Sequence, residues 1–357
     1  MTRSNNYDAL RLLGAAMVIV GHAFHLLGRP FEVPLLLGYP ISTFGVVIFF
    51  SISGYLITLS WTRKRDPVAY FSARLLRIMP ALVVVVLACT FVIGPLVTVL
   101  STADYLRDPL TLDYLSNLVM RARYALPGVF LDLPYPVAVN GSLWTLPAEF
   151  FCYLVVPVVC VRARSVRTVA LVFLLGLSMW LSLVPPLDSP VVWGTRISDA
   201  ASMWVFFAAG ALLATAESRW PTMFRVDAAT AVFAVFLLAL SLRPASLPYV
   251  AGLTLPYVVL VVGRASTPYV RRAARFGDLS YGIYLWGFPV QQLVVHVLGV
   301  QRMAVNLPLV LLITAGLAFV SWHVVEGPSM RLKDSVFRRR RVAQRPAPVA
   351  ATEVATR

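Results

Sequence analysis

Charge is what this chain has least of, and what there is leans to one sign. Only 13% of its 357 residues are charged, about half the share usual in a soluble domain. Most of the chain therefore cannot face water. Acidic residues are the scarcer kind, 16 against 31 Lys and Arg, which leaves a net charge of +15. Cysteine is scarce too. Cys89, Cys152 and Cys160 all fall in apolar runs with neither disulfide nor metal-ligand spacing, so they read as small packing residues. With only 4 histidines beside them, no metal site is expected. A small-residue cleavage site is also missing after the first apolar run, so that run is expected to stay as a helix rather than leave as a signal peptide.

What the chain has instead is apolar length. Hydrophobic residues make up 59% of it, and the mean hydropathy is +0.78. A membrane crossing needs about 20 apolar residues. Runs of that order occur near 8–27, 41–61, 80–100, 143–161, 168–184, 199–215, 228–242, 247–262, 279–298 and 305–325, with those at 228–242 and 247–262 the weakest. The expected fold is an all-α membrane bundle of about ten transmembrane helices. Its 25 prolines suit helices whose neighbours re-satisfy the backbone groups that proline frees. No repeat and no boundary to a second folded domain stand out. Residues 1–333 read as one transmembrane domain, and 334–357, basic and then Pro/Ala-rich, as a disordered cytoplasmic tail.

The basic residues alternate between loops. Arg3, Arg63, Lys64, Arg65, Arg74, Arg77, the arginines at 162–167, 219–225 and 264–275, and the tail fall on one side. Arg29, Arg107, Arg121, Arg123, Arg196, Arg243 and Arg302 fall on the other, a bias of about three to one that puts both termini in the cytoplasm. The positive charge is then a topology signal and a lipid-headgroup contact, and nucleic acid is not an expected partner.

Ionisable side chains inside spans cost about 2.5–3.5 kcal/mol each on insertion scales and so mark function. The first span carries Arg11, His22 and His25. Eleven residues make close to three turns, so Arg11 and His22 share one face about 16 Å apart, and His25 follows on nearly the same face. The segment opening at Asn140 carries Ser142, Trp144 and Glu149. Counted from the outer end of its span, Glu149 lies about 9 Å deep, at the depth expected of His22. The two form either an acid/base pair, with the carboxylate orienting the imidazole, or a structural tie between the first and fourth spans. Gly45 to Tyr55, rich in Gly and Ser, reads first as a close helix-packing face. Arg74 and Arg77, three apart on a helix, either converge on one anion or serve as positive-inside anchors. Glu326 adds a carboxylate at the same membrane face.

Together these segments resemble the acyltransferase family 3 of bacterial membrane proteins, from Tyr7 to about Lys333. Arg11 to His22 is similar to the family's Arg-x10-His signature, Phe49 to Leu56 to its FFxxSGYL helix, and Arg74 to Pro80 to its RxxRIxP stretch. Ser142 to Glu149 is similar to its SLWxLxxE segment, Gly277 to Trp286 to its GDxSYxIYLW segment, and Glu326 to Pro328 to its closing ExP. Many members continue the last but one with His-x-Pro. Here Gly287-Phe288-Pro289 stands instead, so no role of that histidine carries over unless His25 replaces it. The resemblance implies an O-acyltransferase of the bacterial inner membrane. It would move an acyl group, acetyl or another such as succinyl, from cytoplasmic acyl-CoA to a hydroxyl of a carbohydrate, a lipid-linked glycan or a macrolide-type molecule.

On that reading Arg11, Arg74 and Arg77 hold the CoA phosphates, and His22 acts as base or acyl carrier with Glu149 raising its basicity. His25, Ser142, Trp144, Ser280 and Tyr281 line the path or stabilise the oxyanion. Acyl-CoA is then a substrate, and no permanently bound cofactor is required. From the residues alone a transporter, which also buries His, Arg and Glu, and a lipid-binding scaffold stay open.

Overall fold

The computed structural model describes residues 5–332 apart from 162, 245, 246 and 301, so the tail assigned to 334–357 lies outside the described residues, as do Arg3 and Arg162. Every expected span is a helix. In chain order they are α1 (Tyr7–Leu26), α2 (Ile41–Lys64), α3 (Pro67–Val97), α4 (Thr102–Arg107), α5 (Pro109–Tyr114) and α6 (Gly141–Cys160). Then follow α7 (Arg164–Ser182), α8 (Ile197–Glu217), α9 (Val226–Leu242), α10 (Leu247–Arg264), α11 (Ser280–Leu298) and α12 (Met303–Leu332). Two antiparallel hairpins, β1 (Leu35–Leu36) with β2 (Tyr39–Pro40) and β3 (Val191–Val192) with β4 (Thr195–Arg196), lead into α2 and α8. Both turn through two residues at positive φ, Leu37-Gly38 and Trp193-Gly194, the geometry that matches strand twist in tight hairpins.

Among the described residues eight helices are long and apolar enough to cross a membrane: α1, α2, α3, α6, α7, α8, α10 and α12. The other two expected spans are helical without meeting that measure. α9 has 17 residues. α11 carries Ser280, Tyr281, Gln291 and Gln292 and is enclosed by its neighbours over most of its length, so it has little lipid-facing surface to keep apolar.

α2 runs through the middle of the bundle, and glycine lets it approach two neighbours. Gly45 meets the backbone of α1 at Gly14, while Gly54 and Gly210 bring α2 and α8 together so closely that neither has room for a Cβ. The expected packing role of the Gly45–Tyr55 stretch is thus realised. The cysteines are buried and unbridged.

Residues 101–140 fold over the end of the bundle opposite the α1 N-terminus. Ser101 and Asp108 cap α4 and α5 by accepting from Asp104 N and Leu110 N. The fully buried Tyr105 donates its hydroxyl to Thr90 O of α3 at 2.7 Å. Asn117 bonds Tyr114 O and both backbone groups of Arg123. This cap covers the opening of α6: Asn140, Ser142 and Leu143 are all buried, and Asn140 Nδ2 donates to Leu285 O of α11 at 3.0 Å.

Candidate active site: a basic cavity at the α1 N-terminal end

Asn6 fixes the start of α1, donating from its backbone to Gly263 O and from Nδ2 to Thr267 Oγ1 at 2.9 Å each. The first turns of α1 then present Asp8 and Arg11 to a cavity of about 740 Å³, within the size range of small-molecule sites. α2 contributes one helical stripe, Phe49, Ser53, Leu56, Ile57 and Ser60, and α3 contributes Arg74 and Arg77. α6 brings Glu149 and Tyr153, four residues apart on one face. The wall also includes Asn5, Tyr7, Arg271, Arg272, Arg275 and Asp278, with Ser280 and Tyr281 of α11 and Trp322 of α12. Six arginines thus face three carboxylates.

The arginines differ in what they can offer a ligand. Arg77 reaches Asp278 Oδ2 at 2.8 Å and Glu326 Oε2 at 3.4 Å, and Glu326, almost fully buried on a π-turn of α12, also accepts from Ser321 Oγ at 3.0 Å. Its charge is compensated. Arg11 lies 3.8 Å from Asp8 Oδ1. Arg74, by contrast, lies over the Tyr70 ring at 5.4 Å and touches Ser60 Oγ at 3.4 Å. Among the described residues no carboxylate pairs with Arg74, Arg271, Arg272 or Arg275. These four carry the uncompensated positive charge of the cavity.

Among the described residues, Glu149 is the carboxylate of this cavity that pairs with no arginine. Ser53 Oγ donates to its Oε1 at 2.8 Å and Tyr153 OH donates to the same oxygen at 2.5 Å. Its other oxygen has no protein donor among the described residues. The arrangement holds the carboxylate at the inner end of a basic cavity with one oxygen left for a ligand proton.

His22 is elsewhere. Its ring packs edge-on against Phe288, centroids 5.4 Å apart, and Phe288 in turn lies over Gly141, where α6 begins. Eight residues, about 12 Å of helix, separate Gly141 from Glu149. The expected equal depth of His22 and Glu149 is therefore not what the fold produces. The reason is the cap: α6 begins inside the protein, beneath residues 101–140, so Glu149 is carried on to the arginine end. His25 faces Tyr135, at 6.5 Å, and Tyr135 also meets Phe288 at 6.0 Å. Between the two levels the Phe49 ring lies against Gly14 and edge-on to Tyr284 at 6.0 Å.

The structure thus gathers Arg11, Arg74, Arg77, Glu149, Ser280 and Tyr281 into one cavity and leaves His22, His25, Ser142 and Trp144 outside its wall. Ser280 Oγ donates to Asp278 Oδ1 at 2.7 Å, and Tyr281 OH to Ile78 O at 3.1 Å. The Ser142 carbonyl accepts from Tyr284 OH at 2.7 Å, and its hydroxyl is buried without a partner among the described residues. The Trp144 carbonyl accepts from Thr195 Oγ1 at 2.9 Å. At Gly287, where the resemblance would place a histidine, a Cβ would lie 2.6 Å from Ile19, so the place of that side chain is filled. Sequence reasoning missed Ser53, Tyr153 and the run Arg271, Arg272 and Arg275. The four-residue spacing of Tyr153 from Glu149 is a usable signal; in the sequence the three arginines read only as part of the positive-inside bias.

Comparison with known proteins places nearly the whole chain in one family. A family model described as an acyltransferase domain matches residues 4–325. A protein of Shigella phage Sf6 named O-acetyl transferase is 28% identical, covering 91% of this chain and 96% of the relative. Nodulation protein 10 of Rhizobium leguminosarum bv. viciae is 27% identical, covering 94% and 96%. No solved structure matches.

Proposed function

The chain belongs to the acyltransferase 3 family, and on that premise we propose that it is a multi-pass O-acetyltransferase of the bacterial inner membrane, taking its acyl group from acyl-CoA. The observation that carries the donor is the cavity itself. Four uncompensated arginines ring an opening whose far end holds a carboxylate with an unused oxygen. That arrangement suits a long polyanionic donor whose phosphates stay at the mouth while its thioester reaches inward. The name of the phage relative supports acetyl as the group moved. The Lys/Arg bias supports a cytoplasmic position for the cavity and for both termini.

In this reading Arg74 and the run at 271–275 grip the donor phosphates, with Arg11 behind them. Arg77 shapes the wall through Asp278 and Glu326. Two proton-transfer groups lie at two depths, which suits transfer across a bilayer. Glu149, held by Ser53 and Tyr153, stands where the donor enters. In its protonated form it gives the departing CoA sulfur its proton, returning to a carboxylate that takes up the next one. His22 serves nearer the opposite end, where the acceptor hydroxyl of a carbohydrate or lipid-linked glycan arrives, either removing its proton or carrying the acyl group. His25 and Tyr135 belong to that second level. The acyl arm passes between them at the Phe49–Tyr284 contact.

The test is transfer from labelled acetyl-CoA to candidate glycans by the purified protein, beside Glu149→Gln and His22→Ala. The expected result is transfer by the parent and its loss in both variants with donor binding retained. Equal transfer by all three would remove both residues from the chemistry. Absence of CoA binding by the parent would remove the donor.

A further inference from the structure

A second hollow adjoins the basic cavity. It has a volume of about 470 Å³ and shares Asn5, Tyr7, Leu56 and Ser60 with the first as a common wall. Its remaining wall is Tyr55, Leu59, Arg63, Lys64 and Arg264. Nothing in the sequence reading or in the proposed reaction uses it.

Its charge is not distributed like that of an anchor. Arg264 is neutralised: it is paired with Glu217 at 2.6 Å and lies over the Phe224 ring at 4.7 Å, while Tyr55 OH donates to the same carboxylate at 2.6 Å. Arg63 and Lys64, by contrast, have no carboxylate partner among the described residues. Cations in the last turn of a helix also answer its dipole, and that accounts for their residue type. It does not account for Tyr7. That side chain lines both hollows and is 5% exposed, yet its buried hydroxyl has no hydrogen-bond partner among the described residues. A buried donor left unmade costs about 1–3 kcal/mol, so an unmet hydroxyl on the wall between two cationic hollows points to an acceptor supplied from outside. Tyr55 lies beside it, ring centroids 6.4 Å apart, giving the hollow an aromatic side as well as a cationic one.

We propose that this side hollow is the seat of the donor's terminal nucleoside phosphate, with Arg63 and Lys64 on the phosphate monoester and Tyr7 and Tyr55 flanking the nucleoside. The assignment rests on the acyl-CoA reading above and extends it. The cavity takes the diphosphate and the thioester arm, and the side hollow takes the 3′-phosphorylated adenosine. The enzyme then distinguishes CoA thioesters from donors that share the arm but lack the nucleotide's extra phosphate. A phosphate monoester could equally come from a lipid headgroup, and the experiment separates the two sources.

The measurement is binding of CoA and of 3′-dephospho-CoA to the full chain in phosphatidylcholine nanodiscs, by calorimetry. The parent is expected to bind CoA about tenfold tighter, the factor for one charge-assisted contact. The double variant Arg63→Ala/Lys64→Ala is expected to bind both nucleotides equally, at the parent's affinity for dephospho-CoA. Arg63→Lys/Lys64→Arg, which keeps the charge, should restore discrimination, and Tyr7→Phe, at the nucleoside that both ligands share, should weaken both without changing their ratio. Equal binding of the two nucleotides by the parent, or discrimination that survives in the double alanine variant, would overturn the subsite and leave the donor reading intact. If neither nucleotide binds, both fall. In nanodiscs containing phosphatidic acid, whose headgroup is a phosphate monoester, the parent's preference is expected to persist; its disappearance there would assign the hollow to lipid phosphate instead.

Discussion

At the scale of single residues, Glu149 and Arg77 show how a side chain's partners set its role. Both are ionisable groups in or near the membrane, and either could have been read as catalytic. Arg77 is held by two carboxylates, one of them almost fully buried, so its removal leaves Glu326 charged and unpaired. Arg77→Ala is expected to destabilise the protein by about 3 kcal/mol, the low end for a broken buried pair whose arginine is a quarter exposed. Adding Glu326→Gln should recover part of the loss, and thermal unfolding in detergent checks both. Arg74 has no such partner, so Arg74→Ala should leave stability nearly unchanged. It should weaken acetyl-CoA about tenfold or more, as expected for a hydrogen bond to a charged group worth about 1.5–3 kcal/mol. A KM that stays put would exclude it from the donor site. Glu149→Gln keeps the hydrogen bonds from Ser53 and Tyr153 but cannot give or take the proton, and is expected to cost about 10²-fold in turnover with CoA binding intact.

At the scale of elements, glycine contacts set the bundle. α2 touches α1 through Gly14 and Gly45 and α8 through Gly54 and Gly210, and these crossings decide which faces of α1 and α2 reach the cavity. Gly54→Val drives methyl groups against the Phe207 carbonyl and is expected to cost at least about 1–3 kcal/mol, seen as a lowered unfolding temperature. Unchanged stability would show that the α2–α8 crossing can open at little cost. Gly316 has no neighbour within 4 Å of its Cβ position, so Gly316→Val serves as the control and should be nearly silent. α11 illustrates the limit of hydropathy as a guide. Its Gln291 and Gln292 are both fully buried, bonded to Asn306 and to the cap's carbonyls at Tyr135 and Ala138. Such a helix is built for protein neighbours rather than lipid.

At the scale of the whole molecule, the structure has a basic cavity at one end, a folded cap at the other, and the Phe49–Tyr284 contact between. If the cavity end faces the cytoplasm, as the Lys/Arg bias indicates, a cysteine placed at Arg272 is labelled by an impermeant thiol reagent only from the cytoplasmic side. One placed at Leu131 of the cap, which is also exposed, is labelled only from the other. The reverse pattern would invert the orientation and exclude a cytoplasmic donor for this cavity.

The sequence alone determined that this is an all-α membrane chain, where each long helix lies, and that Arg11, Arg74, Arg77 and Glu149 are exceptional. Those are local properties: apolar length, composition, and a charge that no lipid-facing position tolerates. It placed Arg11 and His22 on one helix face for the same reason. Only the tertiary structure decided that Glu149 belongs with Ser53 and Tyr153 instead of His22, that Arg77 is already paired, and that Arg271, Arg272 and Arg275 join the cavity wall. Each of these depends on the rotation and depth of one helix against another. Depth was set by a cap that buries the start of α6, and rotation by glycine contacts between residues far apart in the chain.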